Sequence, residues 1–211
     1  MNPIMPIEPI ISALVTLLVV VDPIGLAPAF LAVTHELPGR AKRQVAWRAS
    51  VIAAGILAGT ALIGEWLLTT LGVGIPAFRI AGGLLLFSIA TEMVFGVRTE
   101  RQSRAAEQAV EEHVRSVAAF PLAIPLMAGP GAITATVLLS AQAAGRPASI
   151  AILLGVIAAV CAVSCLVFLA ASRIERLLGV TGNVLLSRLL GVLLAALAVQ
   201  FVIDGVRAVL V

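Results

Sequence analysis

Six runs of apolar residues, each about 20 long or longer, lie near positions 7–34, 45–71, 75–97, 117–143, 148–172 and 184–210, and they leave the chain few ways to fold. A run of that length crosses the hydrocarbon of a bilayer as a helix, because a helix satisfies its own backbone hydrogen bonds where no water can. With 61% hydrophobic and 12% charged residues and a mean hydropathy of +1.12, the 211 residues carry too little polar surface for a water-soluble domain. The expected fold is all-α: an integral membrane protein with six transmembrane helices. A net charge of +3 and a pI near 9.7 could suggest nucleic acid, but the basic residues sit in short connections between apolar runs, where membrane topology explains them and no basic groove is implied. Residues 1 to 21 lack the basic region and cleavage signal of a secretory peptide, so the first run is expected to stay as a helix. Cys161 and Cys165, four apart with no His or second Cys pair beside them, read as packing residues, and no metal site or cofactor is expected.

The polar stretch "VRTERQSRAAEQAVEEHVRSV" divides the chain into a first three-helix unit (1–97), a charged cytosolic linker (98–116) and a second three-helix unit (117–211). Glu100/Arg104 and Glu111/Arg115 stand at helix-supporting spacing within it. If the N-terminus is outside, the inner connections hold eleven of the 14 Lys and Arg residues, leaving only Arg79, Arg146 and Arg207 outside. Both termini are therefore expected outside the membrane, with the loops at 35–44, 98–116 and 173–183 inside. Three helices per unit make the two units opposite in orientation, and their third helices match as "RIAGGLLLFSIATEMVFG" from Arg79 and "RLLGVLLAALAVQFVIDG" from Arg188. The pattern is that of an inverted repeat. The turn at Gly72–Pro76 is expected to fold the second and third helices into a hairpin.

Helices one and four of this scheme are interrupted, by "DPIG" from Asp22 and "GPGA" from Gly129. Asp is a favoured N-cap and Pro a favoured first helical residue, so each break is expected to end one half-helix and start another, at Pro23 and at Pro130. Irregular backbone within a membrane survives only where protein or a watery cavity surrounds it, which points to a transport site. Asp22 brings an anion suited to an ammonium, and the N–H groups of Gly131 and Ala132 are left to receive a carboxylate. A small zwitterion would satisfy both, so Asp22, Pro23, Gly25, Gly129, Pro130, Gly131, Ala132 and Thr134 are the candidate substrate-binding residues. Asp22 is also the candidate for ion coupling, with H+ or Na+ both open. A purely structural role for Asp22, capping its own half-helix, is the competing account.

Other polar residues rank lower. Glu65 and Asp204 lie toward helix ends, Glu92 is expected to snorkel to the inner face, Gln200 to bond a neighbouring helix, and Gly55 and Gly59 to serve helix packing. No metal set, nucleophile-with-base arrangement or phosphate loop suggests an enzyme. A channel would need a polar stripe along the second and fifth helices, and a scaffold would leave the two breaks unexplained.

The segments "VVVDPIGLAPAFLAVT", "FPLAIPLMAGPGAIT" and "SRLLGVLLAALAVQFVIDGV" resemble the MarC family of bacterial inner-membrane proteins, grouped with six-helix neutral amino acid transporters in the lysine-exporter-like superfamily. The resemblance covers nearly the whole chain. It implies six helices in two inverted halves and movement of small neutral amino acids such as glycine or alanine. The expected partners are that solute and the lipid bilayer, with a homo-oligomer left open. It departs at Leu26, where family members often carry Asn.

Overall fold

The computed structural model describes residues 7–98, 100–102, 104–105, 118–143 and 146–210, and among them every regular element is a helix. In chain order these are α1 (Ile7–Val21), α2 (Ala27–Val33), α3 (Gly39–Thr70), α4 (Ile75–Phe95), α5 (Ala118–Met127), α6 (Pro130–Gln142), α7 (Pro147–Leu169) and α8 (Ala171–Leu210). Gly179 breaks α8 with φ 63° and ψ −179°, so its membrane part is Thr181–Leu210. The six expected apolar segments are all helical, but only four are single helices long and apolar enough to cross a bilayer. Gly39–Thr70, Ile75–Phe95, Pro147–Leu169 and Thr181–Leu210 are each long and apolar enough to cross a bilayer, and Pro121–Met127 with Pro130–Gln142, bent by 58°, adds a fifth candidate. The apolar part of α1, Pro9–Val21, is about 20 Å long and falls short of the hydrocarbon thickness by itself.

Side chains on α3 report the surrounding medium. Trp47 and Trp66 are 65% and 64% exposed and stand about 28 Å apart along the helix axis, near the thickness of a hydrocarbon core. Between them Val51, Leu62 and Ile63 face outward. Such an apolar belt edged by indoles is stable in lipid and not in water.

The helices pack across the two halves of the sequence more than within them. α4 lies along α8, and α3 lies against α7, α6 and α5, while α3 and α4 splay apart after their turn. The expected tight turn is present, with Gly72 at φ 71°, but the hairpin is not. The reason lies in α4, whose closest neighbours are on α8: Gly83 approaches Ala198 and Val202, Gly191 approaches Ala90 and Met93, and Gly205 approaches Pro76 and Ile80. Rising numbers on α4 meet falling numbers on α8, so the two helices are antiparallel. Glycines at these crossings let the backbones approach closely. By contrast a methyl group at Gly55 or Gly59 would touch nothing, so these two do not serve packing within the chain. Cys161 and Cys165 are buried thiols, as expected of packing residues.

Candidate functional site

The second break forms as the sequence suggests. α5 is wound as a π-helix because Pro121 and Pro125 remove backbone donors from the α ladder, and its end is closed by the Ala128 N–H donating to the Ala123 carbonyl at 2.9 Å. Gly129, extended at φ −79° and ψ 175°, is the N-cap of α6, and Pro130 opens the helix. No side chain caps this end. A methyl group on Gly129 would fall on the Pro125 carbonyl oxygen, so the bend itself requires glycine. Gly131 in turn lets α6 approach Ile89 of α4 and Val20 of α1.

Above this end lies a cavity of about 280 Å³ whose walls include Val20, Ile89, Met127 and the run Gly129, Pro130, Gly131 and Ala132. Its polar walls are Arg98, Arg101 and Gln102. The positive end of α6 and a guanidinium therefore face the same space.

The first break departs from expectation. α1 does stop at Val21, but no helix restarts at Pro23: residues 22–26 form a turn, α2 begins at Ala27, and its N-cap is Leu26. Asp22 has φ 51°, a left-handed conformation that Asp tolerates better than most residues. Its carbonyl accepts from Leu26 N–H at 3.1 Å, its Oδ1 from Gly25 N–H at 3.0 Å, and its Oδ2 from the Ser187 hydroxyl of α8 at 3.0 Å. Asp22 thus closes a turn and is not a helix N-cap, because the end of α1 turns the chain before a new helix can form. A methyl on Gly25 would overlap the Asp22 carboxylate. Leu26 is wholly buried and apolar.

Of the eight candidate residues, the cavity therefore gathers four: Gly129, Pro130, Gly131 and Ala132. Asp22, Pro23 and Gly25 lie buried outside its walls, and Thr134 sets its methyl over Gly82 of α4. An ammonium held by Asp22 and a carboxylate held by α6 do not share one space here.

On sequence alone Arg98 belongs to the topology-setting linker. It is instead 8% exposed, donating from Nη2 to the Val20 carbonyl at 2.6 Å and from Nη1 to the Met93 sulfur at 3.1 Å. The left-handed Gly96 (φ 81°), which ends α4, turns the chain so that Arg98 points back into the protein. Burial pulls its pKa below the ordinary value, and the Asp22 carboxylate opposes that pull. Arg101 is neutralised by Glu92 through contacts of 2.9 and 2.8 Å, so Glu92 pairs within the protein in place of snorkelling freely. Gln200 bonds Asp204 one turn along its own helix at 2.8 Å, not a neighbouring helix. Glu111 and Arg115 lie outside the described residues.

The family profile described as MarC family integral membrane protein matches residues 7–210. A UPF0056 membrane protein of Archaeoglobus fulgidus is 38% identical, the match covering 95% of this chain and 93% of the relative. A second, from Methanocaldococcus jannaschii, is 33% identical over 98% of this chain and 100% of the relative. The UPF0056 membrane protein YhcE of Escherichia coli is 33% identical over 92% and 89% respectively. No solved structure matches the chain.

Proposed function

The chain belongs to the MarC family of integral membrane proteins, and from that premise we propose that it is a secondary transporter of small neutral amino acids such as glycine or alanine, working by alternating access around its two helix breaks. The observation that carries this reading is the cavity at the second break, where one helix ends and another begins. The first amides of α6 offer donors to a carboxylate, and the last turn of α5 offers carbonyl oxygens to an ammonium, so one interruption supplies both ends of a zwitterion. Apolar walls from Val20, Ile89 and Met127 suit a compact side chain.

The reading treats α1 with α2, and α5 with α6, as two broken spans, giving six crossings in two inverted halves of a plasma-membrane protein with both termini outside. Support comes from α4 and α8, where one contact repeats when the matched helices are exchanged: Gly205 lies against Arg79 as Gly96 lies against Arg188. Since α3 and α4 lean on helices of the second half, the bodies that rock would each be drawn from both halves. Counterflow of labelled glycine and alanine in proteoliposomes tests the reading. Accumulation of label driven by an internal pool of either amino acid is expected, and equal uptake with and without that pool would overturn it.

A further inference from the structure

Among the described residues, Asp22 and Arg98 are the only charged side chains more than nine-tenths buried. They belong to different segments, yet Arg98 donates to the Val20 carbonyl only two residues before Asp22, close to the carboxylate without pairing with it. Only Arg98 lines the cavity. Isolated buried charges are costly, so each member of such a pair requires the other or a ligand.

The two differ in how fully they are occupied. Both oxygens of Asp22 are taken, by a backbone amide and by the Ser187 hydroxyl, and reaching them would mean opening the turn. A guanidinium has five N–H donors, and Arg98 commits one to a carbonyl and one to a thioether, which is a weak acceptor easily surrendered. It faces the same space as the amides of Gly131 and Ala132. The cavity wall thus collects positive charge and donors, while the carboxylates nearest it are engaged elsewhere, Glu92 with Arg101 and Asp22 with its turn.

We propose that Arg98 is the specificity-determining residue that reads the carboxylate of the transported solute, and that Asp22 is its buried counter-charge, a positioning residue and not the partner of the solute's ammonium. The proposal rests on the transport reading above. In the empty protein the Asp22 carboxylate offsets part of the Arg98 charge; an arriving carboxylate takes the fork of the guanidinium directly and completes the neutralisation. Asp22 and the solute then compete for the same positive charge.

The test is equilibrium binding of labelled alanine and labelled propionate to the purified full-length chain, with alaninamide as competitor. Parent protein is expected to bind both carboxylates and to ignore alaninamide. Asp22→Asn, which can keep the Gly25 and Ser187 contacts, is expected to tighten both carboxylates several-fold by the same factor. Arg98→Gln should weaken both by about tenfold or more. Arg98→Lys, which keeps the charge without the planar fork, should fall between. The Asp22→Asn effect should vanish when combined with Arg98→Gln. If Asp22→Asn weakens alanine while sparing propionate, Asp22 reads the ammonium and the proposal is overturned; so too if a folded Arg98→Gln binds both like the parent. Should Arg98→Gln fail to fold, Arg98→Lys decides, because binding equal to the parent there overturns the proposal. Parent protein that binds propionate but not alanine would sink the amino acid reading and leave the Arg98 assignment standing. Alanine binding indifferent to position 98 would do the reverse, and binding of neither ligand would overturn both.

Discussion

Asp22 and Gly129 each precede a proline inside an apolar run, yet the turn from Asp22 to Leu26 is wrapped and sealed whereas Gly129 stands at the wall of a cavity of about 280 Å³. The difference follows from one side chain. Asp22 carries its own acceptor, which draws in the Gly25 amide and a hydroxyl from α8, so the break satisfies itself. Gly129 carries none, and the amides that follow it are left for something else. A broken helix thus becomes a binding surface or a structural joint according to whether the residue at the break brings a hydrogen-bond partner.

The largest expected effect comes from forcing the sealed break open. Gly25→Ala would drive a methyl into the Asp22 carboxylate and strip a buried charge of its partners, costing upward of about 3 kcal/mol. The midpoint of unfolding in detergent should drop sharply. The glycine requirement arises from the neighbouring carboxylate and not from a positive φ at Gly25 itself, so Asp22→Gly should recover part of the loss. No recovery in the double variant would mean that the turn, and not the carboxylate, demands glycine.

Next in size is Gly129→Ala. Were the open break a mere gap, an added methyl would be mild. Its Cβ would instead meet the Pro125 carbonyl, a backbone atom with little freedom to move, and about 2 kcal/mol of stability should be lost along with transport. Unfolding and counterflow measured on the same preparation would tell. A stable but inactive Gly129→Ala would show that the bend relaxes and that the methyl acts only on the site.

Much of this was legible in the sequence, for physical reasons. Run length and polarity fix helices in a bilayer, so the six apolar segments are helical; the stop at Val21 and the Gly129–Pro130 start follow from local backbone preferences. The restart after Asp22 was not legible, since an Asp-Pro pair has the same spelling whether Asp caps a new helix or closes a turn behind an old one. Tertiary packing decided it, through Ser187 at a separation of 165 residues. Arg98 was hidden for a similar reason. An arginine just beyond an apolar run reads as a topology signal, and the sequence sign of an inward turn is Gly96, the residue type suited to the left-handed helix end that reverses the chain.

The smallest effect on the fold, and the sharpest on the comparison, is expected from Gly131→Ala. Its Cβ would press on the tip of Ile89, a flexible side chain end, so stability should change by no more than about 1 kcal/mol. The methyl nevertheless intrudes beside the amides at the cavity wall, where a solute carboxylate must approach closely. Alanine affinity should fall several-fold while glycine, with less to accommodate, loses less. The matching change at the sealed break, Gly25→Ala, should show no such split between the two amino acids, because Gly25 does not line the cavity and acts through folding alone. Equal losses for glycine and alanine in Gly131→Ala would mean that the solute does not rest against the start of α6, and the distinction between an open and a sealed break would lose its functional meaning.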